Sequence, residues 1–161
     1  RESGFNIQKP AILDGFMNVK WPGRFEILSR EPFIIIDSAH NQDSALRLRL
    51  AMDDYLNGRP IILLFGSSED KDVRGMFSHL LPRVRVLIAT KSEHPRAMEP
   101  DILVELASQF GKHAINTQSI EQGLAEAIRQ AGKDAVVLVA GSIFVAAAVR
   151  EILNSNNQFN D

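Results

Sequence analysis

The stretch Trp21-Pro22-Gly23-Arg24-Phe25-Glu26, followed after a short connection by Phe33-Ile34-Ile35-Ile36-Asp37-Ser38-Ala39-His40-Asn41, decides how this chain is read. Phe33–Asp37 is apolar on both faces until its last residue, as a buried parallel strand is. Polar groups cluster where that run stops, and a helix-like pattern follows. In an open α/β sheet, this junction is where ligands bind. The stretch combines a rigid turn, a cation and a polar cluster. It reads as half of a nucleotide site, and the rest of the chain holds no second half.

Working outward, the apolar runs Pro60–Gly66, Val84–Thr90 and Ala135–Gly141 predict three more buried strands. His113–Thr117 is shorter and weaker, and predicts an edge strand. Helical patterns lie between them. Asp43–Leu56 carries Leu46, Leu50 and Tyr55 as its stripe, widened by Leu48 and Met52. Asp72–Leu81 is shorter. Pro100–Phe110 opens on Pro-Asp, a good helix start. Ser119–Ala131 has Ser119 as N-cap, Gln122 placed for a capping box and Gly132 as a stop. Ser142–Leu153 is the last. Phe25–Ser29 and Phe33–Asp37 around Arg30-Glu31-Pro32 predict a hairpin, which adds one antiparallel strand. The expected fold is α/β: a three-layer, Rossmann-like open sheet, mostly parallel, with helices on both faces. The expected organisation is an N-terminal linker over 1–20 with one extended piece, a domain over 21–154 and a disordered polar tail over 155–161.

Composition narrows the function classes. The 161 residues are 45% hydrophobic and 24% charged, with net charge −2, ordinary for a globular domain. No basic block marks a phosphate-tracking surface, so nucleic acid is not an expected partner. No cysteine is present, which excludes disulfides, thiol nucleophiles and zinc–thiolate sites and suits a cytoplasmic setting. No apolar run is long enough to span a bilayer, so no membrane is expected either. The start, Arg1-Glu2-Ser3-Gly4, lacks an initiator methionine and reads as a cut inside a longer protein. A monomer is expected.

The candidate residues sit at strand ends. Asp37 could accept hydrogen bonds from a ribose or a partner arginine, and His40 could bind a carboxylate or phosphate oxygen. Asp37 and Asn41 are equally suited to be turn and cap residues. Arg24, on a turn stiffened by Pro22 and opened by Gly23, could stack on a base or fork onto phosphate; the alternative is a surface pair with Glu26. Gly141-Ser142 opens the last helix, where free N–H groups favour an anion, and a plain serine cap reads the same way. Lys71, in Gly66-Ser67-Ser68-Glu69-Asp70-Lys71-Asp72, could meet a phosphate or belong to a solvated loop. In Lys91-Ser92-Glu93-His94-Pro95-Arg96-Ala97, His94 and Arg96 point to anion contact only if the loop folds over the site. His79 and His113 have no partners at metal-ligand spacing, and no metal site is expected on this chain.

Absences exclude several classes. There is no Gly-x-x-x-x-Gly-Lys-Ser/Thr loop, no Gly-x-Gly-x-x-Gly after a strand and no Gly-x-Ser-x-Gly elbow. Asp37-Ser38-Ala39 lacks the second aspartate of a phosphoaspartyl phosphohydrolase. A receiver-type module needs an aspartate, a hydroxyl and a lysine at three different strand ends. Thr90 and Lys91 are adjacent, so that pattern fails.

The motifs, taken in order, resemble a known family. Trp21-Pro22-Gly23-Arg24-Phe25-Glu26 with Asp37-Ser38-Ala39-His40-Asn41 resembles the start of the C-terminal domain of folylpolyglutamate synthase/dihydrofolate synthase, in the Mur ligase superfamily of ATP-dependent amide-bond ligases. Gly66 with Asp70-Lys71-Asp72, Thr90 with Pro95-Arg96-Ala97, and Gly141-Ser142 follow in the family's order. The resemblance covers roughly Gly15 to Leu153. One departure is Ser38, where the family usually has glycine. The resemblance implies that Arg24 and Asp37 contact ATP, that His40 and Ser142 sit by the incoming glutamate, and that Asn41, Lys71 and Arg96 are accessory. It implies ATP and Mg2+ as cofactors, with the metal held mainly by a P-loop domain of the same polypeptide that is absent here. The implied substrates are ATP, L-glutamate and a folate or dihydropteroate. A cell-wall Mur ligase domain is the alternative. Alone, the chain is expected to be inactive.

Overall fold

The computed structural model describes residue 4 and residues 7–56 and 58–157. Its elements in order are α1 (Lys9–Asn18), β1 (Glu26–Arg30), β2 (Phe33–Ile36), α2 (Gln42–Tyr55), β3 (Ile61–Phe65), α3 (Val73–Leu80), a 3-10 turn (Leu81–Arg83), β4 (Val86–Ala89), α4 (Pro100–Gln109), β5 (Ala114–Asn116), α5 (Ile120–Ala131), β6 (Val136–Ala140) and α6 (Ile143–Asn157). The six strands form one sheet in the order β1-β2-β6-β3-β4-β5. Only the β1–β2 pair is antiparallel; the other pairings are parallel. The predicted fold class is present in full.

The strand alternation sorts the core into two layers. Ile35, Leu63, Phe65, Leu87 and Leu138 face α2, α3 and α4. Ile34, Ile36, Ile62, Leu64, Ile88 and Val139 face α5 and α6. β3 and β6 are buried at every position, which is why their runs lack polar residues. β5 is the three-residue edge strand predicted from its weak pattern. The Ser119 hydroxyl accepts from Gln122 N–H, and Gly132 ends α5.

Three sequence expectations fail, the last at the C-terminal end of the chain. Residues 9–18 form α1 rather than an extended linker piece. Pro10 opens it, and Ile12, Leu13, Phe16 and Met17 recur at helical spacing, yet none of its residues is buried. Ile12, Leu13, Phe16 and Met17 are all exposed. In α2 the buried face is Ala45, Leu48 and Met52, not Leu46, Leu50 and Tyr55, which are exposed. The buried face packs into the α2–α4 layer of the core. Tyr55 instead packs against Phe25, with ring centroids 5.8 Å apart.

At the other end, α6 runs to Asn157, three residues into the expected tail. No Gly or Pro interrupts Asn154–Asn157, and propagating a formed helix adds one bond per residue. Residues 158–161 lie outside the described residues. Among those described, no helix is long and apolar enough to cross a membrane.

Candidate functional site

Four strand ends meet at one edge. β2 runs into Asp37-Ser38-Ala39-His40, β6 into Gly141-Ser142, β3 into Gly66-Ser67-Ser68 and β4 into Thr90-Lys91. The chain leaves β2 and β3 toward the α2–α4 layer, but leaves β6 toward the α5–α6 layer. The loop after β6 therefore diverges from the loops after both its neighbours, β2 and β3, and that divergence is the topological switch point of the sheet. The ends are tightly joined. Gly141 N–H donates to the Ala39 carbonyl at 2.9 Å, and Asp37 N–H to that of Val139 at 2.9 Å.

Arg24 stands on a turn with two left-handed residues, Gly23 at φ +71° and Phe25 at φ +45°. Such a φ is uncommon for phenylalanine, and three contacts impose it. Asp37 Oδ2 accepts from Phe25 N–H at 2.8 Å, while its Oδ1 accepts from Ala39 N–H at 2.8 Å. Glu26 Oε2 accepts both from Gly23 N–H at 2.7 Å and from Arg150 Nη1 at 2.8 Å. Ser38 N–H donates to the Gly23 carbonyl at 2.8 Å. The side chain of Arg24 is exposed and makes no hydrogen bond or ion pair with any described residue. The expected alternative, a pair with Glu26, is absent because Glu26 is taken by Arg150. Ser38, buried, places its Oγ 2.7 Å from where a Cβ on residue 23 would lie. The serine fits because Gly23 is its neighbour.

Burial pushes the Asp37 carboxyl above its ordinary value. The Phe25 and Ala39 N–H groups and the Arg24 charge pull it back without cancelling the shift. Below the ordinary pKa of 3.8, Asp37 is protonated both folded and unfolded and contributes nothing. As pH rises through the raised folded value, the unfolded chain loses its proton first. Above that value the buried charge subtracts a constant amount from stability. Asp37→Asn removes this titration. Relative to the parent, the stability of the variant should therefore rise from about pH 4 toward neutrality. Urea midpoints across that range check it, and a flat difference would remove the burial argument.

The remaining predicted residues divide into two groups. Asn41 is a helix cap: its Oδ1 accepts from Ser44 N–H at 2.8 Å, and Ser44 Oγ accepts from Asn41 N–H at 3.1 Å. Asp72 likewise caps α3 by accepting from Gly75 N–H at 2.8 Å. His40, Lys71, Arg96 and Ser142 instead line one cleft with Arg24, of about 220 Å³. His40 Nδ1 lies 2.9 Å from the Ser38 carbonyl. A carbonyl only accepts, so Nδ1 carries the proton and Nε2 is left without a described partner. Ser142 is both cap and lining: its Oγ accepts from Phe144 N–H at 3.2 Å.

The loop condition set for Arg96 is met. Ser68 and Ala97 form an antiparallel bridge. Glu69 N–H donates to the Arg96 carbonyl at 3.0 Å, and Met98 N–H to that of Ser67 at 2.8 Å. This zipper brings Arg96 to Asp70, which is also held by Lys71 at 2.9 Å. The Lys71 hydrogen bond, with the Lys71 and Arg96 charges, keeps the Asp70 carboxyl below its usual range. Lys71 and Arg96 thus meet one carboxylate, Asp70, and Arg24 lines the same cleft. His94 does not reach it; its ring stacks on Phe144, 4.6 Å away at 22°. Beyond that stack lies a larger cavity of about 640 Å³. Its walls include Glu93, Glu121 and Glu151, and its one lysine, Lys91, is bound by both Glu99 oxygens at 2.9 Å. That is poor ground for an anion.

The model of the family described as "Mur ligase, glutamate ligase domain" matches residues 23–143, which run from the Gly23 turn to the start of α6. The chain belongs to that family. A probable bifunctional folylpolyglutamate synthase/dihydropteroate synthase of Haloferax volcanii is 32% identical over 146 residues, 90% of this chain and 17% of the relative. The Escherichia coli FolC structure in complex with DHPP and ADP superposes with TM-score 0.88 at 29% identity, over 96% of this chain and 36% of that one. A bifunctional folylpolyglutamate synthase/dihydrofolate synthase with Mn, AMPPNP and L-glutamate bound gives TM-score 0.85 at 28% identity, over 94% and 36%. The chain thus spans about a third or less of the lengths of these relatives.

The lining of the cleft in this Mur ligase domain is suited to an anion. At about 220 Å³ it is smaller than the roughly 300–1,000 Å³ usual for a whole ligand, so alone it would hold only part of one. A divalent metal does not fit the residues present. Among those described, no three His, Asp or Glu side chains converge; Asp37 accepts from two backbone N–H groups, and Asp70 is engaged by Lys71. Sequence reasoning missed Glu26 and Arg150 as the holders of the Arg24 turn, and Phe144 as part of the wall. Arg150 carries no local signal, because its partner is 124 residues away.

Proposed function

We propose that this chain is the C-terminal domain of an ATP-dependent ligase that adds L-glutamate to a folate or dihydropteroate carboxyl group. The observation that carries the reading is Arg24: an arginine on a firmly held turn, its side chain without a partner among the described residues, at the mouth of a cation-lined cleft on the switch point. A free guanidinium in that position is suited to an oxyanion delivered from outside the domain. The family membership and the nucleotide and L-glutamate named for the solved relatives support the same reading.

In the proposed chemistry, an acceptor carboxylate attacks the γ-phosphorus of ATP, giving an acyl phosphate and ADP. The glutamate amine then attacks the acyl carbon, loses a proton and expels inorganic phosphate. Charge develops on phosphoryl oxygens and on the tetrahedral oxygen, where preorganised cations and N–H donors act most strongly. Arg24 meets the phosphates. Asp37 has lone pairs left beyond its two backbone contacts and accepts from the ribose. His40 and Ser142 hold glutamate, with Lys71 and Arg96 as accessory cations. The P-loop and the metal belong to a partner domain of the same polypeptide. Closure onto that domain completes the site.

The test uses the gene product containing this chain. ADP release should require both L-glutamate and dihydropteroate or folate, and the 161-residue chain alone should not hydrolyse ATP. Turnover only with a cell-wall precursor would shift the reading to that branch. Enzyme-like ATP hydrolysis by the chain alone would overturn it.

A further inference from the structure

We infer that Arg150, on the third turn of α6, is a positioning residue that sets Arg24 through Glu26. The inference rests on the reading of Arg24 as a phosphate contact, but its geometry does not. Glu26 lies opposite Ile36 in the β1–β2 pair, and Ile36 faces the α5–α6 layer. Residues directly opposite each other share a face, so Glu26 projects beneath α6, where Arg150 meets it. One oxygen, Oε2, then takes both the Arg150 Nη1 proton and the Gly23 N–H, at 2.8 and 2.7 Å.

Arg24 follows Gly23 directly, and its turn has two clamps. Asp37 holds the Phe25 side. The Glu26–Arg150 pair, together with Ser38 N–H on the Gly23 carbonyl, holds the Gly23 side. Arg24 N–H closes the turn on the Trp21 carbonyl at 3.2 Å, but its exposed side chain makes no hydrogen bond or ion pair that would hold it in place. The pair is partly screened from water, with side-chain exposures of 23% for Glu26 and 37% for Arg150, so it is firmer than a fully exposed ion pair. The helix that carries Arg150 also begins at Ser142. Residues 142 and 150 are roughly 12 Å apart along its axis. One rigid element therefore ties the Ser142 wall of the cleft to the Arg24 turn. A shift of the helix would move both.

Arg150 also shares a hollow with Arg24, so a direct electrostatic influence must be separated from an influence through Glu26. Two measurements do this. The first uses the 161-residue chain and no activity. In Arg150→Met, hydrogen exchange at the Gly23 amide should speed up about tenfold, the loss of one charge-assisted hydrogen bond, with β3 and β6 amides unchanged as the check on folding. Unchanged exchange at Gly23 overturns the inference even where the ligase reading stands.

The second uses the full-length ligase. R150M should raise KM for ATP several-fold with a smaller effect on kcat, and Arg150→Lys, which keeps a cation near Glu26, should recover part of it. In a Glu26→Ala background, R150M should add nothing further. A full additional effect there would mean that Arg150 acts without Glu26, and would overturn the inference. A wild-type protein without ligase activity would overturn the proposed function instead, while the exchange result still decides the role of Arg150.

Discussion

Alanine at position 141 is expected to lower folding stability by about 3–4 kcal/mol, among the largest effects open to a single methyl group. Gly141 takes φ +102°, a region side chains rarely enter. Its Cβ would lie 2.5 Å from the Gly66 carbonyl oxygen and 2.7 Å from Phe65 Cε2. Neither neighbour can yield. The first is backbone at the end of β3, and Phe65 is fully buried against Phe77, with ring centroids 5.0 Å apart. Gly132→Ala supplies the comparison. It shares a positive φ, +56°, but its Cβ meets nothing within 4 Å, so it should cost only about 1–2 kcal/mol of backbone strain. Urea midpoints of the two variants check the difference. Equal losses would show that the strand ends separate freely and that close packing at the switch point contributes little. Against a typical total of about 5–15 kcal/mol, the larger loss would leave the domain close to unfolding. The floor of the cleft is therefore backbone by necessity, and side chains can enter only from its rim.

The rim residues show where sequence reasoning reaches and where it stops. The buried strands could be read because β3 and β6 are buried on both faces and so carry uninterrupted apolar runs. The candidate residues were found because they fall where those runs end. Helix faces were harder. In α2 the leucines are more numerous on the exposed side than on the buried side, and the buried face, Ala45, Leu48 and Met52, is the one that packs into the core beneath it. α1 carries an apolar stripe, Ile12, Leu13, Phe16 and Met17, yet none of it is buried. Pairing between loops was out of reach. The bridge from Ser68 to Ala97 joins two segments that look solvated when read alone, yet it brings Arg96 to Asp70. Local charge spacing misled in one instance. Arg24 and Glu26 are two residues apart and suggest a pair, but β1 turns Glu26 toward α6. Arg150 captures it and leaves Arg24 free.

That freedom leads to the second large expectation. Arg24→Ala should leave stability within about 0.5 kcal/mol of the parent, as for an exposed side chain outside any network. In the full-length protein, on the ligase activity proposed above, it should lower turnover by about 10²–10³, the loss usual for one preorganised donor at developing charge. Few substitutions separate the two quantities so widely, and the separation follows from the geometry. The turn is held by Asp37, by Ser38 N–H and by the Glu26–Arg150 pair, none of which involves the Arg24 side chain. The fold therefore tolerates its removal, whereas an oxyanion opposite it has no replacement donor on the same turn. Arg24→Lys keeps the charge but not the planar fork, so it should recover only part of the rate. Urea unfolding of the chain and ADP release by the full-length protein measure the two sides. A stability loss of several kcal/mol with turnover intact would mean that Arg24 belongs to the scaffold, and that the anion is met by Lys71 and Arg96 instead.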